Sequence, residues 1–247
     1  MKKILTYIRR LFWLIVFLFT WSGAYANHLV GMDFYYTWVS GNTYKITLIA
    51  YGNCGSAGAG SAYNALPTSS PEVYIFNGDA AVGSIALTIQ PPSAGVDITP
   101  VCPADSLLTQ CTSTSYTIPG IKEFVYTGEY TVSGPSAYWR FVFTGNLCCS
   151  YEAGRATSIT NLTGGITDIQ LTDTLNNMTG PNSSPDLSVI PTPFFCLDND
   201  DNYNPGAIPA DGDSLVFSLV PGMAGLAKGR IWNANVKGPN RSIETPL

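Results

Sequence analysis

Six cysteines offer the most chemistry in this chain: Cys54, Cys102, Cys111, Cys148, Cys149 and Cys196. Two of them, Cys148 and Cys149, are neighbours. Such a pair could ligate a metal, cycle as a redox couple, close a strained vicinal ring, or serve two separate staples. No C-x-x-C spacing occurs, which argues against a zinc ribbon or a thioredoxin-type centre. The single histidine, His28, leaves a metal site short of imidazole. Adjacent residues of an extended segment point apart, which disfavours the vicinal ring. Two disulfides leaving in different directions is the reading that remains. Cys102 and Cys111 are close enough in sequence to close a Pro-bearing loop locally, which leaves Cys54 and Cys196 for the adjacent pair. Each bridge would stabilise the fold by about 2–4 kcal/mol.

A second cluster is acidic. In "CLDNDDNYNPGAIPADGDSL", Asp198, Asp200, Asp211 and Asp213 are hard oxygen donors of the kind calcium takes, with Asp201 and Asn202 beside them. Asp198, Asp200 and Asn202 open like an EF-hand loop, but Tyr203 stands where the loop needs glycine and Pro209 where it needs its closing Glu. A cadherin-like Asp-x-Asp-Gly-Asp pattern is closer, with Pro209 in place of its first Asp. Asx-rich turns before a strand explain the same residues without a metal. The sequence calls for no cofactor; calcium is the one these residues would suit.

Catalysis finds less support. One histidine removes most Ser-His-Asp and Cys-His arrangements. Glu123, Glu129 and Glu152 could supply a carboxylate pair for glycoside hydrolysis, yet nothing in the sequence marks them as buried. Solvated strand faces account for them, and the chain reads as non-enzymatic. Tyr35, Tyr36, Trp38, Tyr138 and Trp139 could form a sugar-stacking platform, with Trp38 and Trp139 its natural centres. Core packing and cross-strand pairing compete for the same side chains.

The compartment decides how the cysteines are read. The chain opens "MKKILTYIRRLFWLIVFLFTWSGAYAN". Lys2, Lys3, Arg9 and Arg10 precede an apolar run, and Ala24-Tyr25-Ala26 is a small-x-small cleavage site. That pattern is a secretory signal peptide over 1–26, and its apolar run is about half what a spanning helix needs. No later stretch is apolar enough to span, so no membrane span is expected after cleavage. Removal of 1–26 leaves eight basic against seventeen acidic residues, a formal charge of −9. Nucleic acid and anionic lipid are therefore poor partners. Export into an oxidising compartment makes disulfides the natural use of the cysteines.

These residues need elements to hold them. Long amphipathic helical patterns are absent, and short β-branched and aromatic runs alternate with Gly, Pro and Asn, as in all-β sandwiches. Met32, Phe34, Tyr36 and Trp38 share one face of a strand, and Tyr44, Ile46, Leu48 and Ala50 share one face of the next, with Ser40-Gly41-Asn42 as the turn between. EVYIFN, VGSIALTIQ, FVYTGEYTV and AYWRFVFTG continue the series. In the last, Trp139, Phe141 and Phe143 point one way and Tyr138, Arg140 and Val142 the other. The segments 56–70 and 91–111 are long connections. "TGPNSSPDLSVIPTPFFC" has the Pro, Ser and Asn content of a linker. The residues beyond it are too few for a full second core.

Several stretches, in order, carry a resemblance. They are His28, Val30 and Gly31; Tyr44-Lys45-Ile46-Thr47-Leu48; Tyr51 with Cys54; Cys148-Cys149; Asn182-Ser183-Ser184-Pro185; Cys196; and "DGDSLVFS" from Asp211. Together they resemble the mature N-terminal region of large Bacteroidetes cell-surface proteins of the gliding-motility-associated, PKD-domain type. Ser150-Tyr151 departs from that pattern, which has Arg-Asn after its cysteine pair. The resemblance implies immunoglobulin-like repeats, type IX secretion, and a cell-surface or extracellular polymer or protein as partner. It also implies that this chain is the leading module of a longer protein or a truncated relative.

The expectation is thus an all-β chain: a signal peptide over 1–26, a disulfide-stapled immunoglobulin-like β-sandwich over 27–180, and a partial immunoglobulin-, cadherin- or PKD-like β segment over 181–247. The expected role is that of a secreted structural or adhesive module. The alternative is a carbohydrate-binding module that uses exposed aromatics and calcium.

Overall fold

Alternation builds the first hairpin. In β2 (Thr43–Asn53), Tyr44, Ile46, Leu48 and Ala50 are all buried, as period-two patterning requires. Gly41 holds φ at +51°, the left-handed turn conformation that favours glycine, and so joins β2 tightly to β1 (Leu29–Ser40). The computed structural model describes residues 29–56, 62–144, 170–190, 206–218 and 242–243. The expected signal peptide, Cys148, Cys149, Glu152, Cys196, Asp198 and Asp200 lie outside them.

Two antiparallel sheets form a sandwich. The first runs β1-β2-β7 (Ile121–Thr131), with β5 (Thr88–Ile89) and β6 (Val96–Asp97) one after the other along the outer edge of β7. The second runs β4 (Ala80–Ala86), β3 (Glu72–Asn77), β8 (Trp139–Phe143), β9 (Leu171–Leu175). Lettered along the chain, this is A-B-E-D facing C′-C-F-G, the strand order of the immunoglobulin fold. The expected all-β sandwich is therefore the observed architecture.

The core lies between the sheets and is rich in aromatics. Tyr36, Tyr44 and Phe141 meet edge-on or tilted, with ring centroids 5.3–6.5 Å apart. Trp139, Phe141 and Phe143 all face inward, matching the parity read from AYWRFVF. Buried polar tips find partners: Tyr36 Oη donates to Thr174 O, Tyr126 Oη to Leu66 O, and Trp139 Nε1 to Gly134 O.

Past residue 180, the described strands are two-residue pairs. β10 (Asp186–Leu187) pairs with β11 (Ala207–Ile208), and β12 (Val216–Phe217) pairs in parallel with β13 (Ser242–Ile243). The stretch that reads as a linker is tied to the sandwich. Ser184 Oγ accepts from Tyr36 N at 2.7 Å, Ser184 N donates to Tyr36 O, and Ser183 Oγ accepts from Trp38 N. Two serines thus satisfy backbone groups on the open edge of β1, where a neighbouring strand would otherwise pair.

Candidate functional site

The sandwich has two unlike ends. At one, the connections are short: Gly41-Asn42 between β1 and β2, Gly78-Asp79 between β3 and β4, and 132–138 between β7 and β8. Val132 N donates to Asn42 O and Gly78 N to Tyr138 O, which knits these turns together. At the other end, 54–71 joins β2 to β3 and 98–120 leads from β6 into β7. β8 also ends here, at Phe143 beside Val73, and β9 begins here, at Leu171 beside Phe143.

The staple sits at the long-loop end. Cys54 is bonded to Cys111, 57 residues apart in sequence. This corrects the expected local Cys102–Cys111 bridge, and it also removes Cys54 as a partner for Cys148 or Cys149. Cys102 is a free, exposed thiol. Strand register explains the choice. Asn53 pairs with Ile121 at the end of the β2–β7 ladder, and Cys54 N donates to Gly120 O at 2.8 Å, so Cys54 arrives beside Gly120. A side chain on Gly120 would come within 2.6 Å of Cys111 Sγ, so only glycine lets the loop pass this close.

The rest of the 98–120 loop is braced around that bond. Thr99 N and Oγ1 both donate to Asp97 Oδ1, and Thr99 Oγ1 accepts from Ile121 N. Thr109 bridges to Ile118, and Gln110 N donates to Ile118 O. A 3₁₀ turn, Pro103–Leu108, carries Leu107 at 72% exposure and Leu108 at 44%. Tyr116 is also exposed. From the other loop, Tyr63 packs edge-on against Phe124 and lies 3.6 Å from Cys54 Sγ.

The stacking residues separate. Trp139 is 2% exposed and belongs to the core, so it cannot stack on a ligand; this corrects the expectation for it. Its neighbour Tyr138, on the opposite face, is 70% exposed. Trp38 is exposed, and its Nε1 donates to Gly41 O. Both exposed aromatics sit at the hairpin end. Tyr36, another platform candidate, is buried.

Of the calcium candidates, only Asp211 and Asp213 lie among the described residues. Asp211 and Asp213 are exposed, and Asp211 Oδ2 accepts from Ser183 N at 2.8 Å, a structural use of one carboxylate. Among the described residues, no three His, Cys, Asp or Glu side chains group to hold a metal.

The carboxylate that stands out is Asp33, on the outer face of the first sheet. Burial pushes its carboxyl above the usual range; the Tyr51 hydroxyl, donating at 2.7 Å, pulls it back, and the charges of Asp186 and Glu123 raise it further. Burial also raises Glu123, which lies across the ladder from Tyr51. Glu129 lies across from Lys45. Sequence pattern does not mark Asp33, because its surroundings depend on the ladder partner Tyr51 and on Asp186, which tertiary structure brings near.

Neither a family model, nor a curated protein, nor a solved structure matches this chain. Among the described residues, no helix is long and apolar enough to cross a membrane.

Proposed function

We propose that this chain is a secreted, non-enzymatic surface module that adheres through its long-loop end. The observation that carries the reading is the stapled 98–120 loop, with its exposed Leu107, Leu108 and Tyr116. Scaffolds of this architecture place variable binding loops at one end of a rigid sandwich. The disulfide supports an oxidising location, and the opening 1–26 supports export. The resemblance to gliding-associated surface proteins adds attachment as the setting.

Surface proteolysis of intact cells tests the location. Antibody against 29–144 should detect a protein that external protease removes. A protein protected until the cells are lysed would contradict export. Adhesion is tested by retention of the purified protein on the extracellular material of its own host. Full recovery in the wash would sink the adhesive role.

A second reading, carbohydrate binding, draws on Tyr138 and Trp38 at the hairpin end. It uses Tyr138 in place of the buried Trp139. Glycan retention that disappears in Tyr138→Ala and Trp38→Ala would favour it over the loop end.

A further inference from the structure

We infer that the 98–120 loop docks a polypeptide segment presenting apolar side chains beside Lys or Arg; this rests on the adhesive reading and names its partner's chemistry. Single exposed leucines are ordinary on a protein surface. Here Leu107 and Leu108 are consecutive, and the Thr109–Ile118 bridge ties the backbone next to Leu108 to that two residues past the exposed Tyr116. The loop is also held in shape before any partner arrives. The Cys54–Cys111 bond, the Asp97–Thr99 cap and the hydrogen bond from Tyr116 N to Ser113 O all fix its backbone. An apolar knob on a pre-ordered loop loses little conformational freedom on binding.

Charge selects the occupant. The 98–120 loop contains no Lys, Arg or His, and its one charged residue is Asp105. Asp105 lies within the same 3₁₀ turn as the two leucines and forms no salt bridge among the described residues. Asp97, at the foot of the loop, accepts from Thr99 and stands across the ladder from Lys122, so Asp105 is the carboxylate left to meet a partner. A carboxylate beside an apolar knob disfavours nucleic acid and anionic lipid and attracts a basic rim.

Two synthetic peptides with one leucine pattern, one bearing arginines and the other glutamates at the same positions, provide the test. Each is titrated into the protein purified from its host, by fluorescence anisotropy at low and high salt. The arginine peptide should bind at least about tenfold more tightly than its glutamate counterpart, and salt should weaken it. L107S/L108S should lower that affinity about tenfold or more, the loss typical of a central apolar anchor. Asp105→Asn should lower it by about threefold, as a rim charge does, and blunt the salt effect. Leu107 and Leu108 are exposed, so both variants should melt like the parent, which keeps folding out of the comparison. Equal binding of the two peptides, or binding that survives L107S/L108S, would overturn the inference. So would retention on a glycan array in the absence of any peptide binding. If the protein still adheres to host material but ignores the arginine peptide, the partner chemistry is wrong and the adhesive reading stands. If adhesion also fails, both fall.

Discussion

The two ends of the sandwich solve the same problem differently. At the hairpin end, two of the three connections are turns of two residues, and Gly41 and Gly78 take the positive φ these turns need. The turns hold themselves by backbone hydrogen bonds across to 132–138. At the loop end, long connections cost more closure entropy, and a covalent bond replaces the short turn as the constraint. A rigid end built from turns has little surface to vary. A long loop held by one bond has surface to spare, and that is where the consecutive exposed leucines stand.

The sharpest way to break this contrast is to remove the staple. Replacing both Cys54 and Cys111 by alanine should cost about 4 kcal/mol, from the length of chain the bond encloses. Denaturant melts measure the loss. Limited proteolysis should then cut within 98–120 before the hairpin turns. Simultaneous cutting at both ends would mean the staple is not local in its effect.

A smaller loss is expected along β1. Ser184→Ala removes a buried hydroxyl that both accepts from Tyr36 N and donates to Tyr36 O. Tyr36 O keeps its bond from Ser184 N, and loss of the hydroxyl that Tyr36 N donates to should cost about 1–3 kcal/mol, read by the same melts. Amide exchange at Tyr36 should quicken. An unchanged exchange rate would mean that the 182–185 stretch does not protect this edge.

Smaller still is the cost of a turn residue. Gly41→Ala forces a side chain into the left-handed region and should cost about 1 kcal/mol. No atom crowds the position, so the cost is conformational alone. Loop-end binding should be unaffected.

The smallest effect has a sign set by pH. Asp33 has its carboxyl raised in the folded state, chiefly by burial. Its charge therefore opposes folding once ionised. Stability from this group is greatest below the ordinary carboxylate range, falls as pH rises towards the raised folded value, and is flat above it. Asp33→Asn keeps an acceptor for Tyr51 and removes the charge. The variant should be more stable than the parent at pH 7, by less than about 1 kcal/mol, with the gap closing near pH 3. Melts at both pH values measure it. A parent more stable than the variant at pH 7 would show that the Tyr51 bond to the carboxylate outweighs burial.

Much of the fold was legible because alternation is local. The faces of Tyr44, Ile46, Leu48 and Ala50, and of Trp139, Phe141 and Phe143, follow from period two and proved correct. That same parity already argued for burying Trp139 with its two phenylalanines, and Tyr138 was the residue on the exposed face. The disulfide was not legible, because sequence proximity favoured Cys102 whereas ladder register delivered Cys54 to Cys111. The role of the "NSSP" stretch was hidden for a similar reason. Its composition suits a linker, and only the tertiary fold places Ser183 and Ser184 against an open strand edge. Leu107 and Leu108 gave no periodic signal, since a single 3₁₀ turn is too short to show one.

One adhesion measurement bears most directly on the claim that the loop end is the working end. Retention on host extracellular material would be compared for the parent, for L107S/L108S at the loop end, and for W38S/Y138S at the hairpin end. Retention should fall about tenfold in the first variant and stay unchanged in the second. The reverse pattern would contradict the account and move the site to the aromatic hairpin end.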